Sequence, residues 1–223
     1  MTPSILPTSS GRSSLPVGRR DRRQTILSVA GKMFLEHGYT GTSMSEIAQR
    51  AGGSKATLYQ YFKNKEELFD AHIQECCLRN LKPAFDQQVS ELNLATALTT
   101  YGARLLTALF TDELSALVRL IVSEARNRPS VGLIFHENGP KRGLRSIGGI
   151  LDDAVSRGEI WIEDRDRASR DFLALLTGNL GYLPLMSSAK SSRSLDLYAE
   201  ARHASETFLR AYGMKNSSPI KKK

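Results

Sequence analysis

Lys55, Ala56, Thr57, Tyr59 and Gln60 place a cation, a small residue and three side chains able to hydrogen-bond within one short stretch. On a helix, Leu58 turns inward and these five remain outside. The chemistry this set offers is recognition: such groups meet the donors and acceptors that base pairs present in the major groove of duplex DNA. Lys55 is the candidate for reading guanine, a contact worth about 1–3 kcal/mol of discrimination where it forms. Bond-making chemistry finds no comparable set. The histidines and cysteines have no metal-ligand spacing, and neither a Gly-x-Ser-x-Gly elbow nor a phosphate loop is present. His37, His136 and His203 lie far apart with nothing beside them to complete a catalytic group. No enzyme activity and no cofactor are expected.

The elements that must position these side chains run from Thr42 to Phe62. Ser43 is a good N-cap, and Glu46 three residues on completes a capping box. Met44, Ile47, Ala48 and Ala51 then share one helix face. Gly52-Gly53 ends that helix, since glycine accepts the left-handed conformation of a C-terminal cap. Ser54 caps a second helix whose Leu58 and Phe62, one turn apart, can pack on the first. Two helices joined steeply by a tight turn fit the major groove. A plain helical hairpin with a solvated polar face shares this pattern.

Charge separates the two readings. Of the net +8, +7 falls on residues 1–65, where ten Lys/Arg face only Asp21, Glu36 and Glu46. The positive potential therefore belongs to the segment that carries the helix pair, as phosphate binding requires.

With its flanks, RRDRRQTILSVAGKMFLEHGYTG before and KNKEELFDAHI after, the stretch from about Arg20 to Ile73 resembles the N-terminal domain of the TetR/AcrR family of transcriptional regulators. The resemblance rests on Phe34…His37-Gly38-Tyr39, Thr42-Ser43-Met44, Ile47-Ala48…Ala51-Gly52, and Ser54 through Phe62 followed by Lys63-Asn64-Lys65-Glu66-Glu67-Leu68. It implies an all-α fold: an N-terminal three-helix DNA-binding domain with a helix-turn-helix, then a helical ligand-binding and dimerisation domain. Carried onto this sequence, it implies that Ser45, Lys55, Ala56, Thr57 and Tyr59 face bases or the groove wall. Ser43, Tyr61 and Lys65 would hold phosphates, Thr42 belongs to the same DNA-binding set, and Arg19 and Arg20 add phosphate attraction. Gly53 departs from the family, which usually has a branched apolar residue there; the expected result is a less firmly held turn.

The rest divides by composition. Residues 1–18, rich in Ser, Pro and Thr, read as a disordered basic arm, residues 19–65 as the DNA-binding domain with its helix-turn-helix at 43–62, and 65–80 as a linking helix. Residues 81–213 form the effector-binding and dimerisation domain, and 214–223 a flexible tail. Helices are expected at Leu92–Leu109, from a cap at Asp112 to Ala125, at Ser130–Glu137, Pro140–Arg157, Asp166–Leu183 and Leu195–Tyr212, with no sheet. Leu120 to Gly178 also resembles the C-terminal domain of one branch of the family, through Glu124-Ala125-Arg126…Pro129, Ala154…Gly158-Glu159-Ile160 and Asp166…Ala168…Phe172. Leu105, Leu109, Leu117, Ile121, Phe135, Trp161, Phe172 and Leu176 are candidates to line a pocket, or else are core. Glu124 and Asn179, polar within apolar runs, are candidates to orient a ligand.

Adjacent Cys76 and Cys77 read as reduced thiols of a cytoplasmic protein, or as a redox sensor if their pKa values are lowered. No apolar run suits a membrane span. The expected function is a homodimeric repressor released from a palindromic operator by a small apolar effector. The alternative is a helical small-molecule-binding or redox-sensing protein with weak or no specific DNA binding.

Overall fold

The computed structural model describes residues 17–86, 91–186 and 195–213, except the side chains of Val17, Asn179, Tyr182 and Pro184. Most of the basic arm, the tail and the Asn179 side chain lie outside that description. The described residues are helical, with no strand among them. Helices α1 (Val17–His37), α2 (Met44–Arg50) and α3 (Lys55–Tyr59) come first, then α4 (Lys65–Phe85), α5 (Leu94–Leu109) and α6 (Asp112–Glu124). α7 (Pro129–Asn138), α8 (Pro140–Ser156) and α9 (Arg165–Thr177) follow; a 3-10 turn (Gly178–Tyr182), α10 (Leu183–Met186) and α11 (Leu197–Tyr212) are the last elements among the described residues.

Local chemistry explains most boundaries. Asn64, Asn93 and Asp164 cap α4, α5 and α9, each accepting from a backbone N–H three residues on. α6 is capped by Thr111, whose hydroxyl accepts from the Leu114 N–H, and not by Asp112, which is its first helical residue. Pro83 sits within the last turn of α4 and Asp86 ends the helix. The helix expected over Asp166–Leu183 is broken: α9 stops at Thr177, and Gly178, at φ +37, turns the chain into the 3-10 segment. Gly178 is one of the few residue types that adopts this conformation cheaply.

The core runs from end to end through α4. Near its start, Leu68, Phe69 and Ile73 pack beneath Phe34 of α1, with the Phe34 and Phe69 rings edge to face at 4.8 Å. Further along, Cys76, Cys77 and Leu81 pack into the second group of helices. There α5 and α11 approach closely because Gly102 presents no side chain to Leu176 and Ala201; a Cβ would lie 2.8 Å from Leu176 Cδ1. α4 thus belongs to both halves.

Candidate nucleic-acid interface and apolar cavity

The helix pair is held at both ends of its turn. Ser43 Oγ accepts from the Glu46 N–H and Glu46 Oε2 accepts from the Ser43 N–H, both at 3.2 Å, so the capping box is present. The Ser43 hydroxyl and then its backbone N–H, both donating to Glu46, hold that carboxylate below its ordinary pKa. At the other end of α2, the Gly53 N–H reaches Ala48 O and the Gly52 N–H reaches Gln49 O, both at 3.0 Å, with Gly52 at φ +70. This is the Schellman arrangement that glycine makes possible. Ser54 Oγ then accepts from the Thr57 N–H at 3.0 Å and starts α3. Leu58 and Phe62 are buried beneath.

The outer face of α3 is open. Lys55, Ala56, Tyr59 and Gln60 are exposed, as is Ser45 on the first turn of α2. Thr57 is half-buried, its hydroxyl 2.9 Å from that of Ser54. Arg19 and Arg20 are both exposed, and the Arg19 guanidinium lies 5.7 Å from the centre of the half-buried Tyr61 ring. Ser43 is exposed, but its hydroxyl is engaged in the cap.

Two residues of the expected DNA-binding set, Thr42 and Lys65, face the other way. Thr42 is buried at 2% exposure, and its hydroxyl donates to Gly38 O at 2.8 Å. Lys65 Nζ donates to Tyr39 O and Thr42 O, both at 2.8 Å, and lies 4.2 Å from the Tyr39 ring centre. Burial, and secondly the nearby Arg128, depress the Lys65 pKa below its ordinary value. The loop of α1 to α2 has carbonyls with no helical partner, and Lys65 satisfies them; a phosphate would have to compete with both.

Arg22 is a residue that sequence reasoning counted only as charge. Its Nη1 donates to Ala51 O at 2.7 Å, on the carbonyl that ends α2. Arg128, in the second half of the sequence, immediately precedes α7 and its guanidinium lies over Tyr39. The signal for Arg22 was Gly53, whose missing side chain had to be filled by something.

In the second half, a half-open cavity of about 270 Å³ lies among α4 to α9, bounded by Leu81, Phe85, Leu105, Leu109, Val118, Phe135, Gly139, Pro140, Gly143, Leu173, Thr177 and Gly181. Leu105, Leu109 and Phe135 are the expected residues found there. Leu117, Ile121, Phe172 and Leu176 are instead core, each at 5% exposure or less. Trp161 is 64% exposed. Glu124 ends α6 on the side of Lys65, whose charge it supports. A signal for the unexpected lining was the run of residues without bulky side chains at Gly139, Gly143 and Gly181. Gly143 also leaves room for Tyr101, whose hydroxyl donates to Gly143 O at 3.2 Å. No described lining residue is charged, and the Thr177 hydroxyl already donates to Leu173 O.

Cys76 and Cys77 are fully buried, and burial first, then Glu113 for Cys76, pushes each thiol up to about 12. That leaves almost no thiolate, contrary to what a redox sensor needs. Among the described residues, no helix is long and apolar enough to cross a membrane.

Comparison with known proteins agrees with this geometry. Residues 26–72 match the family described as "Bacterial regulatory proteins, tetR family", and residues 96–214 match "AefR-like transcriptional repressor, C-terminal domain". The HTH-type transcriptional regulator YhgD of Bacillus subtilis is 43% identical over 67 residues, 30% of this chain and 35% of that protein. The HTH-type transcriptional activator FasR of Mycolicibacterium smegmatis is 41% identical over 68 residues, 30% of this chain and 31% of its own. The chain therefore spans about a third of the length of these curated relatives. Among solved structures, a TetR-family protein from Mesorhizobium loti superposes with TM-score 0.78 at 28% identity, covering 88% of this chain and 99% of that one. The flavonoid-responsive regulator FrrA gives 0.72 at 29%, covering 87% and 97%.

Proposed function

Because this chain belongs to the TetR family of DNA-binding transcriptional regulators, we propose that it acts in the cytoplasm as a homodimeric repressor, reading a palindromic operator and released by a small apolar effector. The observation that carries this reading is the outward face of α3. Lys55, Ala56 and Tyr59 stand free on a helix whose inner face, caps and turn are all anchored. Two such helices, paired across a two-fold axis through α9 and α11, would meet half-sites one turn of duplex apart, ~34 Å. In this reading Ser45 and Arg20, both exposed, and the half-buried Tyr61 would contact the groove wall or phosphates.

The effector belongs in the 270 Å³ cavity, whose lining is apolar. α4 borders that cavity through Leu81 and Phe85 and carries the helix pair at its other end. A ligand that favours one tilt of α4 and a duplex that favours another weaken each other by the same factor. The family match to a repressor C-terminal domain supports repression, although FasR, similar over 68 residues, is named as an activator.

A gel-shift titration with the DNA flanking its own gene tests the proposal. Specific binding that falls steeply between low and moderate salt is expected, as phosphate contacts require. Lys55→Ala should weaken specific binding far more than binding to a scrambled duplex. A folded dimer that shifts neither duplex at low salt overturns the reading.

A further inference from the structure

Gly53 is not among the glycines with positive φ, unlike its neighbour Gly52 at +70. Its backbone accepts any L-residue, so the glycine answers a demand for space. What fills that space is Arg22: a Cβ at position 53 would collide with Arg22 Nη2, and the next nearest side-chain atom beyond Arg22 is Thr57 Cβ at 3.9 Å. The same guanidinium donates through Nη1 to Ala51 O, the carbonyl at the C-cap of α2. One planar fork therefore closes the helix end and covers the turn together, which a lysine's single ammonium could not do.

We propose that Arg22 is a positioning residue for DNA reading, and that the Arg22–Gly53 pair fixes the direction of α3. α3 has only five residues, so its direction is set by the turn before it. The Arg22 fork ties that turn to α1, and the next residue of α1, Arg23, lies over the Phe62 ring beyond the end of α3, 5.2 Å from its centre. α1 thereby holds the reader at both its ends. The cationic group is engaged with the protein's own backbone and is not a phosphate ligand. This inference rests on the reading of α3 as the DNA-contacting helix.

The test is a double-mutant cycle with Arg22→Ala and Gly53→Ala. The obstacle to an alanine at position 53 is the far end of a flexible side chain, so the backbone need not move and the variant keeps its fold; circular dichroism confirms it. Affinities are measured for a duplex selected from a random pool by the wild-type protein and for a scrambled duplex of equal length. Each single variant should lose roughly three- to tenfold in specific affinity, the value of one hydrogen bond. Scrambled-duplex affinity and the salt dependence should stay unchanged. The double variant should be no weaker than either single one, because both remove the same contact. Amide exchange at Gly53 and Leu58 should quicken in both single variants.

Additive losses, or no loss in Gly53→Ala, overturn the pairing. Equal losses on both duplexes with a shallower salt slope for Arg22→Ala make it a phosphate ligand and also overturn it. If the wild-type protein selects no duplex, the DNA reading fails by itself, and unchanged amide exchange in both variants still overturns the contact.

Discussion

The Arg128 guanidinium lies over the ring of Tyr39, 3.8 Å from its centre, and joins the two halves of the chain. Arg128 is the residue before α7 in the larger half; Tyr39 belongs to the loop that introduces α2. The same guanidinium reaches Glu66 at 3.1 Å, near the start of α4, and its side chain is only 20% exposed. Lys65 Nζ also lies against this ring, so one tyrosine is contacted by two cations that its own loop carbonyls and Glu66 help to hold. A partly desolvated contact of this kind is worth about 0.5–2 kcal/mol. Arg128→Ala should lower stability to urea by that order, and Tyr39→Leu should abolish most of the difference between Arg128 and alanine. Additive effects of the two substitutions would show that the stacking contributes nothing.

Lys65 gives a second prediction, since its ammonium serves two backbone carbonyls. Lys65→Met keeps the apolar stem and removes the donors, leaving Tyr39 O and Thr42 O without that partner. Hydrogen bonds to a charged group contribute about 1.5–3 kcal/mol. The expected result is a lower unfolding midpoint in urea with the salt slope of DNA binding unchanged. A slope reduced by about one unit would restore Lys65 to the phosphate contacts.

What could be read from the chain beforehand was what depends on neighbours in sequence. Ser43 and Glu46 are three apart, and Gly52-Gly53 closes the helix it follows, so caps and turn were visible as residue types at fixed offsets. The same rule misassigned the α6 cap, because Thr111 and Asp112 both suit the position and only the backbone decides. Arg22 bonds a carbonyl 29 residues away, and Lys65 one 23 residues away; no local pattern reports such pairs. Helical spacing found the apolar face of α6 but not which of its residues meets space. Val118 borders the cavity while Leu117 beside it is fully enclosed, a difference set by how the helices are arranged around them.

His72 predicts an acid-sensitive fold. Its ring is packed against Gly31, its Nε2 is buried without a hydrogen-bond partner, and burial lowers its pKa from 6.5 to about 4. Between those values the unfolded chain binds a proton that the folded chain refuses, so stability rises with pH across this window and is lost as pH falls through it. One group contributes up to about 1.4 kcal/mol per pH unit, or roughly 3 kcal/mol in all. Urea unfolding of wild type and His72→Leu from pH 7.5 to 4 should show the wild type losing this much more. Parallel curves would mean that the ring is hydrated or already charged.

The buried thiols should be silent in the native state. With Cys76 and Cys77 pushed up to about 12 and fully enclosed, an aromatic disulfide reagent at pH 8 should label neither at a measurable rate until urea opens the fold. Labelling that keeps pace with a free thiol would place at least one of them at the surface and reopen a redox role.

Lining and core can be told apart by substitution. Phe172 is fully buried between the rings of Tyr101 and Phe208, so Phe172→Ala should cost about 3–5 kcal/mol through lost burial and an unfilled hole. Val118 borders open space, and Val118→Trp has room to extend into the 270 Å³ cavity. Its stability should stay within about 1.5 kcal/mol of wild type. An uncharged apolar dye such as Nile red, bound by the wild type, should lose most of its binding in Val118→Trp, while affinity for DNA persists. Dye binding that survives the tryptophan would place the apolar site somewhere other than between α4, α6 and α8.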